Sequence, residues 1–367
     1  MGAFPVVRVR GTAYQRGMQY GEQARDRVRG SVDSYRRVFQ HYAGWDWPKV
    51  RREGARFEAP VAEFRPGVVA EMRGIADGAG IDFLDVLAIN VRTEVMFAAK
   101  ARQAGALMGQ SRALMGECSS FAVLPPEQAG PVLIGQNWDW LVHARDTVIV
   151  LDAWPDDGPR LMTVVEAGLL AKAGMNEAGL GLVTNALVSD ADQGEPGLPY
   201  HVLLRAILDC ATVTDALIVL QSGRRSSSAN YLVAHASGSA LGFEAAPGDF
   251  TRLYPLSPSD GVLLHTNHFR ALSLHATDLG LWAMPDTAVR LQRLQTLVSS
   301  GAKAGDLREA LTDHADRPYG ICAHGHPDAP QLEQGATIAS LVMDLTAKQM
   351  WLASGPPCTT PFELMPW

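Results

Sequence analysis

Four cysteines stand in the 367-residue chain, and one of them, Cys118, sits where chemistry is easiest to place. It lies in the run Leu-Met-Gly-Glu-Cys-Ser-Ser-Phe-Ala-Val, after a small, Gly-rich stretch and directly before a strand-like one. Alone, such a residue reads either as a buried packing thiol or as a nucleophile. If the bond between Glu117 and Cys118 is cut, the thiol acquires a base in its own α-amine. A free α-amine titrates at about 7.7–8.0, which suits proton transfer near neutrality. That arrangement needs no catalytic histidine beside it.

Other chemistries find no support. There is no G-x-x-x-x-G-K-[ST], no strand-linked G-x-G-x-x-G, no G-x-S-x-G, no H-E-x-x-H and no C-x-x-C. His265 with His268, and His324 with His326 near Asp313 and His314, are metal-capable, but no spacing matches a ligand set. No metal and no organic cofactor are expected. Cys322 and Cys358 read as packing residues. Cys210, in line with Leu203, Leu204 and Ile207, reads as core.

Elements must hold Cys118 in place. Before it, apolar residues recur at steps of three and four from Val28 through Val32, Tyr35 and Phe39 to Tyr42, one face of a long helix. A second helix is predicted from Pro66 to Asp77, stopped by Gly78, and a third capped by Asp82. Residues Gly105–Gly116 read as an exposed linker. From Cys118 onward come short Val- and Leu-rich runs broken by Gly, Pro and Asp, the texture of strands and hairpins. Helices are predicted at Tyr200–Asp209, Thr214–Leu220, Asp286–Ser299 and Asp306–His314. Strands are predicted at Asn230–His235, Leu241–Ala245 and Val262–His265, and a closing hairpin turns at Ala347-Lys348. The grouping implies antiparallel sheets flanked by helices, not a doubly wound parallel sheet.

Composition narrows the class. Lys plus Arg number 32 against 39 Asp plus Glu, a formal charge of −7 with no basic block, so nucleic acid is not an expected partner. Lys172, Asn176 and Glu177 interrupt the longest apolar candidate, so no membrane span is expected. No signal-peptide core precedes the first charges, and the cysteines form no disulfide framework, which points to the cytoplasm.

With these residues on the page, the chain resembles the isopenicillin-N acyltransferase-like family of cysteine N-terminal-nucleophile (Ntn) hydrolases, relatives of the choloylglycine hydrolases. The anchor is Gly116-Glu117-Cys118-Ser119-Ser120-Phe121 followed by Gly135-Gln136-Asn137-Trp138-Asp139-Trp140. Gly174-Met175-Asn176-Glu177-Ala178-Gly179-Leu180, Thr184-Asn185, His265-Thr266-Asn267-His268-Phe269, Tyr319–Cys322, Thr337–Asp344 and Gly355–Cys358 also resemble it.

The resemblance implies an α+β fold, a four-layer αββα sandwich with a mainly helical N-terminal segment. It implies a precursor that cuts itself before Cys118. Residues 1–117 would form one chain and 118–367 the other, staying associated. By the same resemblance Cys118 is the nucleophile, Asp139 holds its amine, Asn267 donates to the oxyanion, and Asn185 is a second polar residue beside that hole. Phe121, Trp140, Phe269 and His324 are candidate substrate contacts. Three positions depart from the family pattern. Gln136 stands where choloylglycine hydrolases carry Arg. Ala323, followed by His324, stands where acyltransferase-like members often carry Arg. Glu117 precedes the cut where the fungal acyltransferase has Gly. The expected partners are a small-molecule amide or acyl substrate and the cleaved N-terminal segment, with a homo-oligomer left open. Amide hydrolysis through a thioester is the leading expectation; acyl transfer from the same thioester and a non-catalytic binding role remain alternatives.

Overall fold

A strand opens the chain where the sequence reads as helical. In β1 (Val6–Gly11) Val7 and Val9 turn inward while Arg8 and Arg10 face solvent, the period-two pattern of a half-buried strand. The computed structural model describes residues 2–103, 118–126, 130–271, 276–326 and 328–367. The predicted linker and Glu117 lie outside the described residues.

After β1 come α1 (Ala13–Gln23), α2 (Arg25–Ala43), α3 (Trp47–Ala55), α4 (Glu58–Phe64), α5 (Pro66–Ala79), α6 (Phe83–Asn90) and α7 (Arg92–Gln103). From Cys118 the order is β2 (Cys118–Val123), β3 (Leu133–Leu141), β4 (Val148–Pro155), β5 (Leu161–Glu166), β6 (Ala173–Asn176) and β7 (Leu180–Ala186). Next are α8 (Tyr200–Leu208), α9 (Val213–Gln221), β8 (Ala229–His235), β9 (Ser239–Ala245), β10 (Leu253–Leu256) and β11 (Val262–His265). The chain closes with α10 (Gly280–Ala283), α11 (Thr287–Leu297), α12 (Ala304–Ala310), β12 (Gly335–Asp344), β13 (Gln349–Ala353) and β14 (Glu363–Leu364).

The strands form two sheets, ordered β1-β4-β5-β6-β7-β8-β9-β10 and β11-β2-β3-β12-β13-β14. β1 runs parallel to β4, and the other described pairings are antiparallel. Three apolar cores separate four layers. One lies between the first seven helices, α8, α9 and the eight-stranded sheet. A second lies between the sheets, built from Ala122, Ile134, Val164, Val183 and Leu341 among others. The third joins the six-stranded sheet to α11 and α12 through Phe121, Val342, Leu294 and Leu307. The fold is therefore the αββα sandwich that the sequence implies.

Two helix ends differ from expectation. α5 runs through Gly78 and stops at Gly80, whose φ of 64° closes it. Gly78 is a contact point instead: a Cβ there would sit 2.2 Å from the Met18 carbonyl oxygen of α1. Two helices thus meet backbone to backbone, which only a missing side chain allows. α12 ends at Ala310, four residues short of His314, and the chain leaves it for a loop that returns below. Among the described residues no helix is long and apolar enough to cross a membrane.

Candidate active site

Cys118 is the first residue of β2, paired with Trp138 of β3. Alternation along β2 sends Cys118 and Ala122 to the core between the sheets and Phe121 and Val123 to the core beneath α11 and α12. Cys118 is 1% exposed.

Polar groups converge on its main chain. The Cys118 N–H donates to Asn267 Oδ1 at 2.8 Å. The Cys118 carbonyl accepts from Asn185 Nδ2 and from Arg290 Nη1, each at 3.0 Å. Arg290 Nη2 also donates to Asn267 Oδ1 at 3.0 Å, and its Nε pairs with Asp286 at 2.6 Å. Asn267 Nδ2 donates to the Ala186 carbonyl at 2.9 Å. These partners orient the Asn267 amide: its oxygen faces donors and its nitrogen a carbonyl. Three elements supply the groups. Asn185 comes from β7 of the opposite sheet, Asn267 from just beyond β11, and Arg290 from α11.

Asp139, next to Trp138 on β3, is 3% exposed. Its Oδ1 accepts from the Thr337 hydroxyl of β12, directly across the ladder. Thr337 in turn accepts from the Ala323 N–H at 3.0 Å. Gln136 bridges the two sheets, its Oε1 accepting the Thr184 N–H at 2.8 Å.

The thiol's electrostatics follow from this setting. Burial pushes the Cys118 thiol up to about 11; the Lys172 charge pulls it down, the Asp139 carboxylate adds to the rise, and the Asp139 N–H and Arg290 lower it. A buried thiol of this kind is protonated at neutral pH and needs a base.

Cys118 also forms part of a pocket wall. Tyr35 and Phe39 of α2, Met96 of α7, Trp138, Trp140 and Tyr200 line it. Two buried cations border it. The Lys172 ammonium lies 5.1 Å from the Trp138 ring centre and 5.5 Å from that of Tyr200. Arg92 pairs with Glu166 at 2.7 Å, and its guanidinium lies 5.0 Å from the ring centres of both Tyr35 and Trp140. Nearly half of this wall belongs to the N-terminal segment.

The structure thus gathers Cys118, Asp139, Asn267 and Asn185, the four residues expected at the centre. The roles differ in detail. The described contacts of Asn185 Nδ2 are the carbonyls of Cys118 and of His265, the latter at 3.3 Å, so Asn185 holds the backbone of Cys118 itself. Of the four substrate-contact candidates, Trp140 lines the pocket. Phe121 does not: it points to the opposite face of β2, fully buried under α11 and α12. The Phe269 N–H donates to Asp278 at 3.1 Å, and the ring is not part of the pocket wall. His324 is not part of the pocket wall and lies in a separate cluster with His314, Cys322 and Cys358.

Arg290 and Lys172 were not foreseen. Arg290 sits in a helix with no motif around it, and its i,i+4 spacing from Asp286 looks like a surface pair. The one signal for Lys172 is a lone charge inside an apolar run.

Comparison with known proteins adds to this geometry. Residues 126–358 match the protein family described as acyl-coenzyme A:6-aminopenicillanic acid acyl-transferase. The 40 kDa form of acyl-coenzyme A:6-aminopenicillanic-acid-acyltransferase from Emericella nidulans is 25% identical over 362 residues, covering 96% of this chain and 92% of that protein. Among solved structures, the Caenorhabditis elegans ortholog of N-acylethanolamine-hydrolyzing acid amidase aligns at 16% identity and a TM-score of 0.45, over 68% of this chain and 100% of its own. Penicillin V acylase from Agrobacterium tumefaciens aligns at 17% identity and a TM-score of 0.43, over 68% of this chain and 86% of its own.

Proposed function

The chain belongs to the acyl-coenzyme A:6-aminopenicillanic acid acyl-transferase family, and on that premise we propose a self-processing cysteine N-terminal-nucleophile enzyme that cleaves a small-molecule or peptide-like amide through a thioester. One observation carries the reading. The nitrogen of Cys118 is held by Asn267 Oδ1 while its carbonyl is held by Asn185 and Arg290, which fixes the residue's backbone on both sides of its Cα. Packing alone gives no reason to clamp one cysteine so firmly.

In this reading the bond between Glu117 and Cys118 is cut first, and residues 1–117 stay docked on 118–367. The freed α-amine of Cys118 then takes the thiol proton. The thiolate attacks the substrate carbonyl carbon, and its electron pair forms the C–S bond. The negative charge on the carbonyl oxygen meets the Asn267 amide, whose Nδ2 group carries a second proton besides the one given to Ala186. One such donor contributes about 2.7–4 kcal/mol in comparable sites. The carbon–nitrogen bond breaks, and the leaving amine takes the proton from the α-ammonium. Water, deprotonated by the same amine, attacks the thioester, releases the acid and restores the thiol. Asp139 and Thr337 support the strand that carries the site. The aromatic pocket receives the acyl group. The substrate is the small-molecule partner, and the other partner is the N-terminal segment itself.

Acyl transfer is the second reading, with an amine or thiol in place of water. It is supported by the description of the matched family and by the apolar, aromatic lining of the pocket beside Cys118.

The deciding experiment is the intact mass of the full chain under denaturing conditions, beside Cys118→Ala. Two pieces divided between Glu117 and Cys118, with the variant whole, are expected. A wild-type chain that stays whole and turns over no amide would leave a binding protein on this fold.

A further inference from the structure

Four metal-capable side chains meet outside the pocket. His314 follows α12, Cys322 and His324 stand in the loop before β12, and Cys358 stands in the loop after β13. Their ligand atoms all lie within 4.8 Å of one another. His314 Nε2 is 3.1 Å from His324 Nε2, and His324 Nε2 is 3.6 Å from Cys322 Sγ and 3.4 Å from Cys358 Sγ. We propose that His314, Cys322, His324 and Cys358 form a tetrahedral binding site for one divalent metal ion of thiolate- and imidazole-preferring chemistry, Zn²⁺ foremost.

The geometry is that of a ligand shell. With metal–sulfur bonds of about 2.3 Å and metal–nitrogen bonds of about 2.0–2.1 Å, the edges of a tetrahedron come to about 3.3–3.8 Å. The separations of His324 Nε2 from His314 Nε2, Cys322 Sγ and Cys358 Sγ fall on or just under that range. Two sulfurs with two imidazole nitrogens are the donor set that selects zinc over magnesium or calcium, which take oxygen. Four protein ligands leave no open position, so the site is structural and not catalytic.

The surroundings suit the role. The loop from Leu311 to His324 is tied down independently of any ion: the Cys322 N–H donates to the Asp313 carbonyl and the His324 N–H to that of Pro318, each at 3.0 Å. Asp313 is itself fixed by Arg293 at 2.6 Å. The main chain that carries Cys322 and His324 is therefore held before any ion enters. Binding displaces protons: the ion enters, both thiols release a proton to solvent, and two thiolates balance the divalent charge.

The ion would clasp three stretches of chain at one point beside the active site. Ala323, between two of the ligands, donates to Thr337 at 3.0 Å, and Thr337 donates to Asp139. The clasp is thus one link from the aspartate that flanks Trp138 and Cys118. It stands apart from the proposed cleavage and does not require it.

The test uses the full chain, expressed with added zinc and purified without chelator. Plasma mass spectrometry is expected to find about one zinc per chain, and the Cys322→Ser/Cys358→Ser double variant to lose it. Because Cys322 is buried, the double variant can misfold, so the wild-type chain carries a second measurement. Stripped and reconstituted with Co²⁺, it is expected to show the visible ligand-field bands of a tetrahedral site together with sulfur-to-cobalt charge transfer. His314→Gln, at an exposed position, is expected to keep the charge transfer and weaken retention. A zinc-free wild-type chain without a thiolate–cobalt band overturns the site. So does a Cys322–Cys358 disulfide in freshly purified protein.

Discussion

Asn267 Oδ1 accepts the main-chain N–H of Cys118 at 2.8 Å across 149 residues of chain. Asn267→Ala removes that acceptor and leaves the nitrogen proposed as the catalytic base without its tether. Self-cleavage is expected to slow by roughly 10²-fold or more, by the measure of sites that lose one aligned amide. A time course of intact masses after translation checks this, and a variant that cuts at the wild-type rate would remove Asn267 from the mechanism.

Arg290 acts through the same knot. Its two Nη groups reach the Cys118 carbonyl and Asn267, while Nε balances Asp286, itself buried at 7% exposure. Arg290→Gln leaves a buried carboxylate without its cation, a loss of about 3–5 kcal/mol. Arg290→Lys keeps the charge but not the fork and is expected to fold, with slower cleavage than wild type. Urea unfolding and the mass time course, run side by side, separate the two effects.

Lys172 pulls the Cys118 thiol down against the upward push of burial. Lys172→Met is expected to shift the pH at which iodoacetamide labels Cys118 upward, with both proteins in the same processing state. An unmoved profile would show that the ammonium does not act on the sulfur.

Burial, helped by the His265, Arg290 and Arg270 charges, pushes the His268 imidazole from 6.5 down to about 4. Above pH 6.5 both native and unfolded imidazoles are neutral. As pH falls below that, the unfolded chain takes up a proton that the folded one refuses until about 4, so this group's contribution to stability drains away through that window. His268→Gln, which can still bond Thr287, is expected to lose less melting temperature between pH 7 and pH 5 than wild type does. Equal losses would place the acid sensitivity elsewhere.

How much of this was legible follows from range. The helix from Arg25 to Ala43, the Asp82 cap and the strand Val262–His265 rest on local periodicity and local hydrogen bonds, and they were readable. β1 carried its own alternation in Val7 and Val9 but stood beside helical sequence that masked it. Cys118 was found through the motif around it. Phe121 was misplaced because a one-residue step along a strand changes the face, and sequence alone does not say which core each face meets. Arg290, 172 residues from the carbonyl it holds, and Cys358, 34 residues from His324, belong to arrangements that only tertiary structure creates.

The long reach of those contacts has a consequence for the order of synthesis. β1 is made well before its only partner strand among the described residues, β4, which begins at Val148. The knot on Cys118 stays incomplete until Arg290 has been made. A nascent chain halted before α11 therefore has Asn185 and Asn267 but lacks the arginine that completes the grip on Cys118. On the proposed reading, a product that stops short of Arg290 is therefore expected to stay in one piece.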